Sequence, residues 1–145
     1  MQDPLIITVA PNGAYKQIAD HPAVPVTADA LAQTAKQCLD AGATMLHLHI
    51  RDARGQHSLD VDGYLAATRT VRAAVGEAMV LQITSEAAKV YQAPAQIAMV
   101  KAVRPEAVSV GLRELDKPEI GEAGLAQFFA WLVRERVMTQ VIIYD

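Results

Sequence analysis

The sequence predicts an α/β protein. Within that class it predicts the N-terminal half of a (β/α)8 TIM barrel, with five strands and four helices of a single domain spanning residues 1–145. Three observations carry this. Short apolar runs alternate with helix-period stripes, without hairpin signals between them, which is the pattern of a parallel sheet with right-handed crossovers. The runs begin near residues 5, 45, 79, 106 and 139, a spacing that suits a barrel in which about 250 residues make eight repeats. The loops are also asymmetric. Helix-to-strand connections are short ("AGA", "VGE", "RPE"), whereas strand-to-helix connections are long, above all residues 11–26. A doubly wound sheet is the competitor, but it usually brings a glycine-rich phosphate turn after the first strand, and "APNGAYK" has one glycine.

The elements follow in order. "LIITVA", residues 5–10, reads as a buried strand, and the stretch to Val26 has three prolines and no periodicity. Thr27 is suited to N-cap a helix whose apolar face is Leu31, Ala35, Cys38 and Leu39. Gly42 is suited to end it. "TMLHLHI" is the second strand. Asp60 can cap a helix bearing Tyr64, Ala67, Val71 and Val75, closed by Gly76. "MVLQIT" is the third strand. A helix over about 94–104 stops at Pro105, which cannot continue it. "EAVSVGL" is the fourth strand, the last helix carries Leu125, Phe128, Phe129, Leu132 and Val133, and "TQVIIYD" is the fifth strand.

Composition excludes several classes. The chain has 145 residues, 52% hydrophobic and 20% charged, enough to bury a core. A net charge of −3 leaves no electrostatic footprint for nucleic acid. No apolar run approaches the roughly 18 residues of a membrane span, and the start "MQDPLIITVAPNG" lacks the basic n-region of a signal peptide. Cys38 is the single cysteine, so no internal disulfide forms and a cytoplasmic location is expected. Its place on a helix's apolar face marks it as a small core residue.

The chemistry centres on "MLHLHIRD", residues 45–52. A strand has a side-chain period of two, so His47 and His49 share one face and the leucines take the other. Two imidazoles in register near a strand's C-terminal end can reach one metal ion. Zinc accepts histidine nitrogen and usually takes three protein ligands in a catalytic site, and iron, manganese and cobalt suit such donors too. The bland alternative is a hydrogen-bonded pair inside the barrel. Arg51 is an anion contact, a partner that supports the site, or half of a rim salt bridge. Thr84, Ser85 and Glu86 end the third strand, where hydroxyls either bond a substrate carbonyl or carboxylate or cap the next helix. Arg113 and Glu114 end the fourth strand, and either hold a substrate carboxylate or pair with each other. Asp145 ends the fifth. Asp20 and His21 qualify only by their position in the long first loop, and His57, in the polar "ARGQHSLD", reads as a solvated turn residue. No Ser-His-Asp arrangement and no phosphate-binding loop is found.

Several segments together resemble the β-keto acid cleavage enzyme family, often labelled 3-keto-5-aminohexanoate cleavage protein. They are "ITVAPNGA" with "DHPAVPVT", "AGATMLHLHIRD", "GQHSLD", "LQIT" and "RPEAVSVGLREL". The resemblance implies a zinc-bearing (β/α)8 barrel. It also implies a reaction in which a β-keto acid and acetyl-CoA give acetoacetate and a new acyl-CoA. On this resemblance His47 and His49 are zinc ligands, with Thr84 and Arg51 as candidate catalytic residues. Asn12, Tyr15, Thr84, Ser85, Arg113, Glu114 and Asp145 are the candidate substrate-binding residues, and Asp145 matches an acidic position that helps hold the substrate's variable end. A full-length protein is expected to be a homo-oligomer.

Two departures qualify the resemblance. Members that cleave aminohexanoate carry a carboxylate where this chain has Tyr15, so a neutral or anionic variable end is expected instead. The family chain is also about twice this long, and its third zinc ligand, a glutamate, and its acid–base residues fall in the second half. The rival readings are another metal-dependent barrel hydrolase or aldolase, and an inactive half-barrel.

Overall fold

The computed structural model describes residues 5–143. Five strands form one parallel sheet: β1 (Thr8–Val9), β2 (Met45–Leu48), β5 (Val80–Thr84), β6 (Ala107–Gly111) and β7 (Met138–Ile142), in the order β1-β2-β5-β6-β7. Every neighbouring pair is parallel, and the five strands follow one another in the sheet in chain order. This is the expected order of a barrel arc, not that of a doubly wound sheet. Helices α1 (Ala28–Asp40), α2 (Val61–Val75), α3 (Ala93–Val103) and α5 (Gly121–Arg134) make the crossovers. No helix among the described residues is long and apolar enough to cross a membrane.

The caps act as the sequence implies. The Thr27 hydroxyl accepts from the Ala30 amide at 3.2 Å, and Asp60 Oδ2 accepts from the Gly63 amide at 2.7 Å. Each satisfies an amide that a helix start would otherwise leave unpaired. Arg104 takes a left-handed conformation at the end of α3, and Pro105 follows it. Cys38 is partly buried against the core, whereas Val133, expected on the apolar stripe of the last helix, is exposed.

Alternation sorts the sheet into two faces. Leu46, Leu48, Leu81, Ile83, Val108 and Val110 pack with Leu31, Tyr64, Val71, Met99, Phe128 and Leu132 in one core between sheet and helices. The intervening residues His47, Gln82, Thr84, Ser109 and Gln140 take the opposite face, where their polar atoms meet one another. Apolar burial against the helices supplies the driving force, and the polar face is the barrel's interior.

Three local expectations are corrected. The first strand is two residues long, not six, and it is not buried as expected, because Leu5, Ile6 and Ile7 lie exposed before the ladder and the chain leaves it after Val9. The second strand breaks at His49. The chain then forms an antiparallel hairpin, β3 (Ile50–Arg51) with β4 (His57–Ser58). Its turn is closed by Asp52, whose Oδ1 accepts from the amides of Arg54 and Gln56, and by Gly55 at a φ of 76°. Helix α2 lies so close to this hairpin that a Cβ at Gly63 would stand 2.8 Å from Ile50 Cδ1. Third, Arg113 and Glu114 belong to a one-turn helix, α4 (Leu112–Leu115), not to the end of a strand.

Tyr64 ties helix to sheet. It is fully buried, and its hydroxyl donates to the Thr84 carbonyl at 3.1 Å. The Tyr64→Phe variant leaves that carbonyl without its donor. A loss of about 1–2 kcal/mol is expected in urea unfolding, with an unchanged m-value. An unchanged midpoint would show that the bond contributes nothing.

Candidate active site

The strand that carries the histidines is held by the first loop. Asn12 is buried and sits where β1 has ended. Its Nδ2 donates to the His49 carbonyl at 2.8 Å and to the Pro25 carbonyl at 3.1 Å, and its Oδ1 accepts from the His49 amide at 3.2 Å. The side chain thus takes the place of a neighbouring strand for one residue. Asn12 was expected to touch substrate. Both of its amide hydrogens and its amide oxygen bond to backbone, which holds the chain at His49 in place.

The two imidazoles meet. His47 Nε2 and His49 Nε2 lie 3.1 Å apart, with the rings edge to face. His47 Nδ1 is 2.8 Å from Gln82 Oε1, and Gln82 Nε2 donates to Gln140 Oε1 at 3.1 Å. An amide oxygen can only accept, so the His47 proton sits on Nδ1 and its Nε2 holds a lone pair.

His49 Nδ1 lies 3.4 Å from His57 Nδ1, and His57 Nε2 lies 2.9 Å from the Glu86 carbonyl. His57 is buried, which corrects the expectation of a solvated turn residue. The β3–β4 hairpin folds it back under the strand that bears His49. The signal was present in the sequence as Asp52 and Gly55, which are turn residues of a short hairpin.

Burial lowers the pKa of all three histidines. In His49, buried and flanked by His47, His57 and Arg51, it falls to about 3. In His47 the dominant cause is burial, partly offset by the bond with Gln82. In His57 it is again burial, opposed by the bond to the Glu86 carbonyl. Near pH 7 the rings are neutral, which is the form that binds metals.

A carboxylate stands nearby. Glu86 Oε2 is 4.0 Å from His49 Nε2. Its pKa is raised by burial, and further by Glu114. The segment behind it is strained, with Ala88 at a φ of 47° and Lys89 at 61°, conformations that cost a non-glycine residue on the order of 1–2 kcal/mol each. Glu114 holds this segment, since its Oε2 accepts from the Ala87 amide at 2.9 Å and from Gln96 Nε2 at 3.0 Å.

The remaining expected residues divide. Thr84 is buried, pairs with Ser109 across the strands, and accepts from the Ser109 hydroxyl and the Glu86 amide, each at 3.1 Å. Ser85 is wholly buried and its hydroxyl donates to the Ser109 carbonyl at 3.2 Å. Glu114 is likewise committed to backbone and to Gln96. Arg51 Nη2 donates to the Gly13 carbonyl at 2.6 Å and the Lys16 carbonyl at 3.1 Å, while its buried Nε has no partner. It clamps the first loop. Tyr15, Asp20 and His21 are exposed, as is Arg113 on α4. Asp145 lies outside the described residues. Gln82, Gln140 and His57 were not anticipated. Glutamine in an apolar strand carries no chemical signature until its cross-strand partner is known.

The donor set fits a soft-to-borderline divalent ion in part. Two neutral imidazole nitrogens 3.1 Å apart fall within the combined reach of two zinc–nitrogen bonds of about 2.0–2.1 Å. Among the described residues no group of three or more His, Cys, Asp or Glu side chains is arranged to hold a metal ion.

Comparison with known proteins adds lineage. The family model described as beta-keto acid cleavage enzyme matches residues 4–145. The chain is 33% identical over 72 residues to the 3-oxoadipate:acetyl-CoA acetyltransferase of Cupriavidus necator, covering 50% of this chain and 25% of that protein. It is 35% identical over 72 residues to the 3-keto-5-aminohexanoate cleavage enzyme of Fusobacterium nucleatum, covering 50% of this chain and 26% of that one. Among solved structures, the ternary complex of ObcA with C4-CoA adduct and oxalate superposes with a TM-score of 0.60 at 19% identity. It covers 83% of this chain and 31% of that chain, a likeness of fold. The matched stretch thus spans about a quarter of the curated relatives' length.

The depressed histidines make the chain acid-sensitive. The unfolded chain takes up a proton near pH 6.5, whereas folded His49 resists until about 3. Its contribution is therefore fully present above about pH 6.5 and lost as pH falls toward 3, with a slope of about 1.4 kcal/mol per pH unit per proton. The raised Glu86 works in the opposite sense above the ordinary carboxyl range. Urea midpoints between pH 7 and 4 should fall more steeply for the native chain than for His49→Asn; equal slopes would show that His49 titrates normally.

Proposed function

The chain belongs to the beta-keto acid cleavage enzyme family, and from that premise we propose that it supplies the metal-facing histidines of an enzyme acting on a β-keto acid and acetyl-CoA. In that reaction the bond between C2 and C3 of the keto acid breaks. C2 joins the acetyl carbonyl to give acetoacetate, and the released acyl group takes the thioester, so atoms and charge balance without a redox partner. The observation that carries the metal reading is the convergence of two neutral imidazoles on the sheet's polar face, with His47 Nε2 and His49 Nε2 3.1 Å apart.

Zinc would be held by His47 and His49. When bound, it supplies Lewis acidity toward a keto oxygen and a template for the neighbouring carboxylate. The chain's own residues do the rest of the positioning. Asn12 fixes the His49 backbone, Gln82 fixes the His47 ring, and Arg51 holds the first loop against the strand. The Thr84 hydroxyl accepts from its neighbours, so its own proton is available to a substrate oxygen. Tyr15, exposed in the first loop, suits a neutral or anionic variable end.

An incomplete barrel is the second reading, favoured by the two ends of the sheet. Leu5, Ile6 and Ile7 at the β1 end and Met138, Val141 and Ile143 at the β7 end are all exposed. Apolar sheet edges of this kind seek further strands or a second copy. An eight-stranded barrel needs strands beyond these five, and those would carry the remaining metal ligand and the acid–base groups.

Calorimetric zinc titration tests the metal reading. The 145-residue chain should bind one equivalent weakly and His47→Ala none. Without further strands it should not turn over acetyl-CoA with any β-keto acid. Tight zinc binding that survives His47→Ala would place the metal elsewhere.

A further inference from the structure

We infer that His57 is a positioning residue that sets the tautomer of His49, delivering its Nε2 as an electron-pair donor toward His47. This rests on the reading of His47 and His49 as a metal-facing pair and extends it to a residue that neither spacing nor location suggested. The Glu86 carbonyl can only accept, so His57 Nε2, 2.9 Å away, carries the proton. A neutral His57 then has a bare Nδ1. The atom facing it at 3.4 Å is His49 Nδ1, which supplies the hydrogen when the two rings are hydrogen-bonded. With its proton on Nδ1, His49 has its lone pair on Nε2, the atom 3.1 Å from His47.

The surroundings make this assignment consequential. His49 is 2% exposed and His57 7%, so neither ring can exchange its partner for bulk water. Asn12 grips both backbone polar groups of His49, so the main chain that carries the ring is fixed. Without an acceptor at position 57, the Nδ1 proton of His49 would be a buried donor without a partner. The ring would relieve that cost by moving its proton to Nε2. A proton there closes the nitrogen to any metal. His47 does not share this dependence, because Gln82 supplies its acceptor. The two rings are therefore set by separate partners, an amide on one side and a third imidazole on the other. Partners that orient metal-bearing histidines in this way typically alter metal affinity by about 10–100-fold when removed.

The test reads tautomer and affinity separately. Long-range proton–nitrogen correlation spectra of the metal-free, ¹⁵N-histidine-labelled chain report which nitrogen of each ring bears hydrogen. In the native chain His49 should be protonated on Nδ1. In His57→Phe it should shift to Nε2, while His47 keeps its Nδ1 proton. Zinc affinity, measured by competition with a chromophoric chelator, should fall about 10–100-fold in His57→Phe. His57→Gln, whose amide oxygen can accept, should recover a substantial part of both. An Nε2 proton on His49 in the native chain overturns the proposal even if no variant folds. So does a folded His57→Phe chain with native tautomer and native affinity. If the native chain binds no zinc, or His47→Ala binds it equally well, the metal reading fails while the spectra still decide what His57 does.

Discussion

The side-chain amide of Asn12 against the backbone of His49 is the constraint on which the site depends. Strand β1 ends at Val9, and β2 ends at Leu48, so His49 has no ladder partner of its own. Asn12 supplies one, closing bonds to both the His49 N–H and its C=O. A buried backbone pair left open would cost about 1–3 kcal/mol per group. The same contact brings the first loop onto the histidine strand, and Arg51 seals it from the other side through the carbonyls of Gly13 and Lys16. Loop and strand therefore fix each other.

From that fixed point the polar face of the sheet is assembled by hydrogen bonding across strands. Gln140 orients Gln82, which orients His47, while the Glu86 carbonyl orients His57, which faces His49. Both chains run inward to the Nε2 atoms of His47 and His49, which lie 3.1 Å apart. Burying two imidazoles and half-burying a third is tolerable because each keeps a partner and none is charged. Behind them the left-handed residues Ala88 and Lys89 are held by Glu114 and Gln96. The strain after β5 thus keeps the Glu86 carbonyl where His57 needs it.

The opposite face explains why so polar an interior is affordable. Leu46, Leu48, Leu81, Ile83, Val108 and Val110 are almost wholly shielded by the helices. At about 25 cal/mol per Å² of apolar area, that side of the sheet stabilises the strands on which the polar groups stand. The alternation that places leucine on one side and histidine on the other is a property of every strand.

The amino-acid sequence by itself determined the parallel order of five strands, the helix caps at Thr27 and Asp60, the stop at Pro105, and the shared face of His47 and His49. All of these follow from local chemistry: side-chain period, capping hydroxyls and carboxylates, and the missing amide of proline. Family membership was also legible, because "HLHIRD" and its companion segments are specific in combination. Only the tertiary structure decided what the other polar residues do. Asn12, Ser85 and Glu114 were expected near a substrate and are bound to backbone, and His57, expected in solvent, lies under His49. Their partners are 13 to 37 residues away in the bonds of Asn12, 24 for the Ser85 hydroxyl and 27 for Glu114 with Ala87. His57 meets His49 only because the hairpin at Asp52 and Gly55 reverses the chain. A polar side chain can satisfy itself with backbone or with substrate equally well, and which of the two it meets is set by contacts that no local pattern encodes.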